Sequence, residues 1–464
     1  MEAPVPAVVV PELSRRPLRK GVILAAGLST RMAPLSNGRS KAMLRLGGLT
    51  LLERSIRTLL TLDLEQIMIV IGHDMEVVAD HAKRFGGIVS VIEAESWESG
   101  NGCSLAAAEP YVEEEDLFLL VTVDHVFAPD ALHRLLDARA PAVLVDAAPT
   151  PEEWSEGTRV VLEAGRAVAF GKELTSEVID CGAFLLPTAI FDAHRSAWRR
   201  GDPSLAGAVT VLVTEHPLAA VPIAPGSWVD IDAPQDLALA RDRLRRSLGK
   251  PGDGPVSTYL NRPISTRLSM LLAGLPLSPD AVSVFVLLGS LGAALLLASG
   301  RGVAGGIAVQ AVSVLDGVDG ELARLRLRSS PKGAMLDGVL DRLADAAIIC
   351  GFALWAAPLA STRTVILLSC LALTGSMLSM ASKDRAKLLN LPAAPERWIG
   401  RLLGGRDGRL LLLAVAALAG RPIAGLAVVA VTSLMALSIR LSYVLRNTTA
   451  PAGSTPIGSA RSSG

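Results

Sequence analysis

The sequence predicts two unlike halves, an α/β doubly wound domain followed by an all-α domain of six transmembrane helices. Residues 20–246 alternate short apolar runs with amphipathic stretches, the pattern of strands joined by crossover helices. After residue 268 the chain is almost continuously apolar, in windows of bilayer-spanning length. Between them, residues 247–256 are rich in Gly and Pro, which defeat both helix and strand and mark a linker.

A chain of 464 residues has room for two or three domains. Lys plus Arg and Asp plus Glu each total 45, so the balance argues against a nucleic-acid partner. Cys103, Cys181, Cys350 and Cys370 lack paired or metal-ligand spacing and are read as reduced fillers. Residues 1–19 hold a proline-broken apolar run followed by basic residues, the reverse of a signal peptide, and are expected to be disordered.

In the first half, the apolar runs at 21–27, 66–72 and 116–124 read as buried parallel strands. Helices are expected near 50–62, 74–85 and 129–138. Ligands of such folds lie at the carboxyl ends of the strands. The first such end carries Ala25, Ala26 and Gly27, then Arg31 and, ten residues on, Lys41. A glycine-containing turn offers backbone N–H groups to phosphates, and the two cations suit a triphosphate and its departing pyrophosphate. Neither the Walker spacing nor the dinucleotide fingerprint is present. Asn101 and Gly102 lie in a second Gly-containing loop suited to recognising a base. Asp124 ends another strand, and Asp230 and Asp232 follow a further one. His125 is read as structural, and the acids at 113–116 as a solvated turn.

The second half, 257–447, opens with an amphipathic segment at 259–269 that reads as an interfacial helix. Spans are expected near 280–299, 302–322, 334–357, 362–382, 408–420 and 422–445. Basic residues crowd the loops after the second and fourth spans, while Arg301, Arg363 and Arg421 alone mark the alternate loops. The positive-inside rule then puts the first domain and the C-terminus in the cytoplasm. The tail from 448 reads as disordered.

Within this apolar half, Asp316, Asp319, Gly320, Ala323 and Arg324 fall at i, i+3, i+4, i+7 and i+8, and Asp337 and Asp341 at i and i+4. Each set shares one helical face. A carboxylate at membrane depth is costly, so such a cluster calls for a polar cavity and a function. Close approach of the two helices at Gly320 and Gly333 would bring four carboxylates together, a donor set for Mg2+, Mn2+ or Ca2+. The competing reading is an ion-pair lattice in which Arg324 and Arg342 neutralise the aspartates. Lys383, Arg385, Arg406, Arg409 and Arg440 lie near the cytoplasmic span ends, where they can hold an acceptor phosphate or serve as topology signals.

These residues resemble the signature D-x2-D-G-x2-A-R-x8-G-x3-D-x3-D of the CDP-alcohol phosphotransferases, with every fixed position filled. The resemblance implies a membrane enzyme that moves a phosphoalcohol from a CDP-alcohol to an acceptor hydroxyl and releases CMP. It assigns metal to Asp316, Asp319 and Asp337, with Asp341 beside the metals as the base for the acceptor hydroxyl. Gly320, Ala323, Arg324 and Gly333 become nucleotide contacts. A homodimer through the spans is also an expectation of that family.

The start of the first half resembles the A-A-G-x-G-T-R-x(n)-P-K opening of the nucleotidyltransferases, with Ser29 and Ser40 replacing Gly and Pro and a loop lengthened at 36–39. That likeness implies Mg2+ held by Asp124 with Asp232, Asp230 beside or behind them, and Lys172 on the sugar phosphate. From about 20 to 446 the chain is similar to the bifunctional inositol-1-phosphate cytidylyltransferase and di-inositol-phosphate phosphate synthase family. The similarity includes Asp124-His125-Val126 and the 228–232 and 261–267 elements. The family implies that CTP and inositol 1-phosphate give CDP-inositol and pyrophosphate, and that CDP-inositol then reacts with a second inositol 1-phosphate, releasing CMP. Mg2+ or Mn2+ is expected in both domains. The alternatives are a phosphocholine or phosphoethanolamine cytidylyltransferase fused to a lipid headgroup transferase, transfer of CDP-inositol to a lipid, or a degenerate membrane scaffold. Few aromatics near the aspartates weigh against a choline cage.

Overall fold

The computed structural model describes residues 18–27, 32, 38–128, 130–250, 252–388 and 394–448. The chain divides into two compact units, Met1–Arg246 and Ser247–Gly464. Nearly all of the expected lead and tail, and Arg31, lie outside the described residues.

In chain order the strands of the first unit are β1 (Lys20–Ala25), β2 (Arg45–Leu46), β3 (Leu49–Thr50), β4 (Gln66–Ile71), β5 (Val89–Glu93), β6 (Phe118–Thr122) and β7 (His125–Phe127). They continue with β8 (Ala142–Asp146), β9 (Arg159–Glu163), β10 (Arg166–Gly171), β11 (Ile179–Leu186), β12 (Leu218–Pro222) and β13 (Trp228–Asp230). The main sheet has the order β5-β4-β1-β6-β11-β8-β12-β10-β9. Strands β5, β4, β1 and β6 are parallel, as their apolar runs predict. The far half is mixed, because β11 runs antiparallel to both β6 and β8. The link between β9 and β10 is a two-residue turn, Ala164 and Gly165, with both φ values positive, a connection that only antiparallel neighbours permit.

Alternate residues of each central strand enter opposite cores, which is what double winding means physically. Ile23, Ile67, Ile69, Leu119 and Val121 pack with helices 51–59, 75–82 and 131–137. Val22, Met68, Val70, Phe118 and Leu120 pack with Leu105, Phe191 and Val209 on the other face. The three helices expected from the sequence are thus present, and Thr50 caps the first by accepting from the Glu53 N–H at 3.0 Å.

The helices of the second unit are α1 (Arg262–Leu272), α2 (Pro279–Ala298), α3 (Gly302–Leu325), α4 (Pro331–Ala356), α5 (Thr362–Leu388), α6 (Ala394–Arg401), α7 (Arg406–Leu418) and α8 (Pro422–Thr448). Ser278 and Ser330 cap α2 and α4, each followed by Pro at the first helical position. Among the described residues, four helices are long and apolar enough to cross a membrane: Pro279–Ala298, Gly302–Leu325, Thr362–Ala386 and Pro422–Asn447. The other two expected spans differ in kind. Helix α4 has 26 residues, about 39 Å at the helical rise, but carries Asp337, Asp341, Arg342 and Asp345. Helix α7 has only 13, about 20 Å against a hydrocarbon core of about 30 Å. Large apolar side chains such as Phe285, Leu295, Leu354 and Val431 face outward.

Helix α1 has its polar side turned inward. Ser265 and Ser269 donate to the two oxygens of the buried Glu321 at 2.7 and 2.6 Å, and Arg262 Nη1 donates to it at 2.5 Å. Asn261 donates to Ser313 Oγ at 3.1 Å and accepts from Gln310. Tyr259, Ile264 and Leu271 point away from the bundle.

Close helix approach occurs elsewhere than expected. A side chain at Gly320 would meet Arg324 and Lys250, and one at Gly333 would meet its own cap Ser330, so neither glycine joins α3 to α4. Both helices pack along α2 instead. A Cβ on Gly306 or Gly302 would lie 2.9 or 2.7 Å from the carbonyls of Ala414 and Ala417 on α7, and one on Gly351 would lie 2.6 Å from the Ala294 carbonyl on α2. The pair Gly302 and Gly306 forms a small-x3-small stripe against α7. Gly306→Leu is expected to destabilise the second unit by about 1–3 kcal/mol through overpacking. A detergent melting curve checks this, and an unchanged midpoint would contradict the close contact.

Candidate active sites

In the first unit, β1 and β6 are neighbours, so the residues after Ala25 and after Thr122 emerge side by side. Asp124 follows β6 directly. Antiparallel pairing of β7 with β13 sets Asp230 opposite His125, and so beside Asp124. One ligand atom from each of Asp124, His125 and Asp230 lies within 4.8 Å of the others. Lys41, on a one-turn helix capped by Ser40, is buried and reaches Asp124 Oδ2 at 2.9 Å and Asp232 Oδ1 at 2.5 Å. Asp232 therefore faces the lysine, and Asp230 is the acid grouped with Asp124.

The His125 ring stacks on Trp228 with centroids 5.2 Å apart, and Trp228 Nε1 donates to the buried Asp146 at 2.8 Å. At the β11 irregularity, Gly182 has φ +68°, and a Cβ there would lie 2.7 Å from Thr122 Oγ1 and 2.8 Å from the His125 ring. The histidine is thus clamped by Trp228 on one side and a glycine on the other. Asp146 and Gly182 escape sequence reading because the sheet register alone brings them to the site, and the stacking role of Trp228 within the 228–232 element escapes it for the same reason.

Electrostatics follow from crowding. Burial pushes Lys41 down, but Asp124, Asp230 and Asp232 outweigh it and hold the ammonium well above its usual range. Burial likewise works to raise Asp124, and Lys41 followed by His125 overcomes it, leaving the carboxyl well below the usual carboxylate range. Asp230 is raised to about 6 by burial, opposed by His125 and reinforced by Asp124 and Asp232. Asp124 Oδ1 and Asp230 Oδ1 are buried with no hydrogen-bond partner among the described residues, a donor pair that fits a hard divalent cation.

The remaining residues named for this domain are spread around it. Ala25 and Ala26 are buried at the end of β1, and a Cβ on Gly27 would meet nothing within 4 Å among the described residues. Asn101 Oδ1 accepts from the Leu205 N–H at 2.8 Å, and a Cβ on Gly102 would lie 2.4 Å from the Pro203 carbonyl, so this loop is tied to the 203–205 segment. Lys172 is exposed in the turn after β10.

In the second unit, Asp316 on α3 and Asp337 and Asp341 on α4 each present an oxygen within 4.8 Å of the others. Asp319 lines the same pocket, held by Ser283 Oγ of α2 at 2.5 Å. Helix α2 is the spacer that lets like charges face one another across a gap. All-oxygen donors in this number suit Mg2+, Mn2+ or Ca2+. The neutralising cation is Arg406, the first residue of α7, with Nη1 at 2.5 Å from Asp316 and 3.0 Å from Asp341. Arg324 instead donates to the Leu248 carbonyl at 2.9 Å, and Arg342 pairs with Asp384 at 2.6 Å, so neither takes the place that the competing ion-pair reading gave it. Gly320 and the half-buried Ala323 lie along α3 near Arg324, and Gly333 lies in the first turn of α4.

The basic residues named for an acceptor phosphate separate into three environments. Lys383 and Arg385 are exposed on α5. Arg406 is half-buried and Arg409 buried beside Asp345, which Arg409 meets at 3.6 Å while also donating to the Gly404 carbonyl. Arg440 is buried, forked onto Glu396 at 2.7 and 3.1 Å and donating to Ser379 and Ser382. Asp345, which sequence reading missed, is the next i+4 step after Asp341, so its signal was present in the spacing.

Residues 21–228 match the MobA-like NTP transferase domain, and residues 277–394 match the CDP-alcohol phosphatidyltransferase family. A Rubrobacter xylanophilus protein named bifunctional IPC transferase and DIPP synthase is 41% identical over 418 residues, covering 88% of this chain and 93% of its own length. An Aquifex aeolicus protein of the same name is 31% identical over 405 residues, covering 86% and 92%. The solved inositol-1-phosphate CTP transferase of T. maritima aligns at 22% identity and TM-score 0.44, over 49% of this chain and 97% of its own. Among the described residues, one acidic site is thus built around Lys41 and another around Arg406 in a chain that aligns with the two bifunctional relatives through both halves, and the chain belongs to the family of bifunctional IPC transferases and DIPP synthases.

Proposed function

We propose that the chain converts CTP and inositol 1-phosphate to CDP-inositol and pyrophosphate in its first domain, 20–246. The second domain, 257–447, joined by the 247–256 linker, then transfers the phosphoinositol group to another inositol 1-phosphate and releases CMP. The observation that carries this reading is the pair of carboxylate clusters in one chain, one at strand ends and one between helices α3 and α4. The two family matches and the relatives' names support the same pairing of reactions.

In the first domain, a phosphate oxygen of inositol 1-phosphate attacks the α-phosphorus of CTP as the bond to the β-phosphate breaks. The attacking oxygen is already deprotonated, so the site needs charge and alignment rather than a base. Arg31 and Lys41 neutralise the triphosphate and the departing pyrophosphate, while Lys172 holds the inositol phosphate. Ala25, Ala26, Gly27, Asn101 and Gly102 frame the nucleotide. Asp124 and Asp230 would hold the cation, and Asp232 sets the lysine.

In the second domain, the acceptor hydroxyl oxygen attacks the phosphorus that bears inositol, its proton passes to Asp341, and the bond to CMP breaks. Asp316, Asp319, Asp337 and Asp341 would hold the cation, with Gly320, Ala323, Arg324 and Gly333 along the nucleotide. Lys383, Arg385, Arg406, Arg409 and Arg440 supply positive charge for the acceptor phosphate. Mg2+ or Mn2+, when bound, would neutralise the triphosphate of CTP in the first reaction and the diphosphate of CDP-inositol in the second, stabilising each leaving group.

The membrane arrangement that fits this chemistry has six helices, α2, α3, α4, α5, α7 and α8, in the bilayer, both termini in the cytoplasm, and a homodimer. The outward apolar side chains and the basic residues at the α3 and α5 ends support it.

Phosphorus NMR of detergent-purified protein given CTP, Mg2+ and inositol 1-phosphate is expected to show pyrophosphate, CMP and a new phosphodiester. CDP-inositol without CMP would point to a lipid acceptor, and turnover only with phosphocholine would exclude inositol. Asp341→Asn is expected to cut CMP release by at least about a hundredfold, the usual scale for a positioned base, while pyrophosphate release persists. Asp124→Asn is expected to do the reverse, with supplied CDP-inositol still yielding CMP. Loss of both activities from either variant in folded protein would refute the division of labour. Chelation with EDTA is expected to stop both reactions and added Mg2+ to restore them, which activity before and after dialysis checks.

A further inference from the structure

Arg406 bridges two sets of carboxylates. Its Nη1 lies on Asp316 and Asp341, while its Nε lies 3.0 Å from Asp345 Oδ1, on the far side of the guanidinium. Asp345 is buried, and its other oxygen accepts from Ser376 Oγ at 3.1 Å and meets Arg409 at 3.6 Å. A divalent cation bound by Asp316, Asp337 and Asp341 would share two of those three carboxylates with Nη1. Two positive charges on the same carboxylates repel, and in a poorly screened interior that repulsion is large. The Nε bond to Asp345 is free of this conflict, because Asp345 is not one of the oxygen donors gathered at the pocket.

We propose that Asp345 is a positioning residue that retains Arg406 at the site when a divalent cation displaces its Nη1 from Asp316 and Asp341. Arg406 is then an exchangeable counter-ion. Without the cation it neutralises the aspartates and keeps them close. With the cation it pivots about the Nε anchor, and its freed Nη1 donates to a substrate phosphate oxygen. The planar fork of the guanidinium suits this division, since Nε and Nη1 address different partners at once. Lysine carries all its donors on one nitrogen, so it cannot keep one partner with one atom while a second atom changes partners. This inference rests on reading Asp316, Asp337 and Asp341 as a cation site.

The test is Mn2+ binding to the full-length protein in detergent, read from the electron paramagnetic resonance signal of free Mn2+, in an Asp124→Asn background that silences the first unit's site. Arg406→Gln removes the competitor and is expected to tighten Mn2+ binding by about tenfold, within the range of coupled neighbouring charges. Asp345→Asn strands Arg406 when the cation enters and is expected to weaken binding by about tenfold. With Arg406→Gln already present, Asp345→Asn is expected to have little effect. An equal loss with and without Arg406 would overturn the proposal, because Asp345 would then act on the cation by its charge alone. Unchanged or weaker binding in Arg406→Gln would overturn it independently, whatever the folding of the Asp345 variant. If Asp316→Asn leaves Mn2+ binding intact, the cation-site reading itself fails, and the proposal with it.

Discussion

Like charges held close together in a poorly screened setting dominate this molecule. Carboxylates that crowd one another repel, and the fold must supply both the force that gathers them and the charge that offsets them. The two units solve this in parallel ways. In the first, backbone pairing of β7 with β13 fixes the acids and buried Lys41 sits between them. In the second, α2 fixes the spacing of α3 and α4, and half-buried Arg406 enters from α7. In each case the cation on the acids comes from a segment distant in sequence, so the site is complete only when the tertiary fold is complete.

That dependence explains what the sequence revealed. The aspartate faces of α3 and α4 were legible because helical period fixes which residues share a side. The strands β1, β4 and β6 were legible because buried parallel strands read as apolar runs. The partner of the aspartates was not legible, since nothing local distinguishes Arg406 from Arg324 or Arg342. The grouping of Asp230 with Asp124 depends on strand register across a hundred residues, and neighbouring Asp232 has the same composition and the opposite outlook. Glycines misled for a related reason. Gly320 and Gly333 lie in the signature, but the packing glycines are Gly302, Gly306 and Gly351 at the other end of the bundle.

Glu321 shows how the second unit transmits order to its acids. It follows Gly320 on α3 and is fully buried, with donors from Arg262, Ser265 and Ser269 on α1. A buried carboxylate so completely satisfied is costly to disturb. The rotation of α3 about its axis, and hence the aim of Asp316 and Asp319, is therefore fixed by α1 as well as by α2.

The reversed polarity of α1 inverts the usual grammar of tolerance. In a helix on a water-soluble domain, the apolar positions are the intolerant ones and the polar face drifts freely. Here Asn261, Ser265 and Ser269 have shape and donor requirements that alanine or leucine fail, while Tyr259, Ile264 and Leu271 need only remain oily. A profile built on hydrophobic conservation would thus rank the positions of this helix upside down.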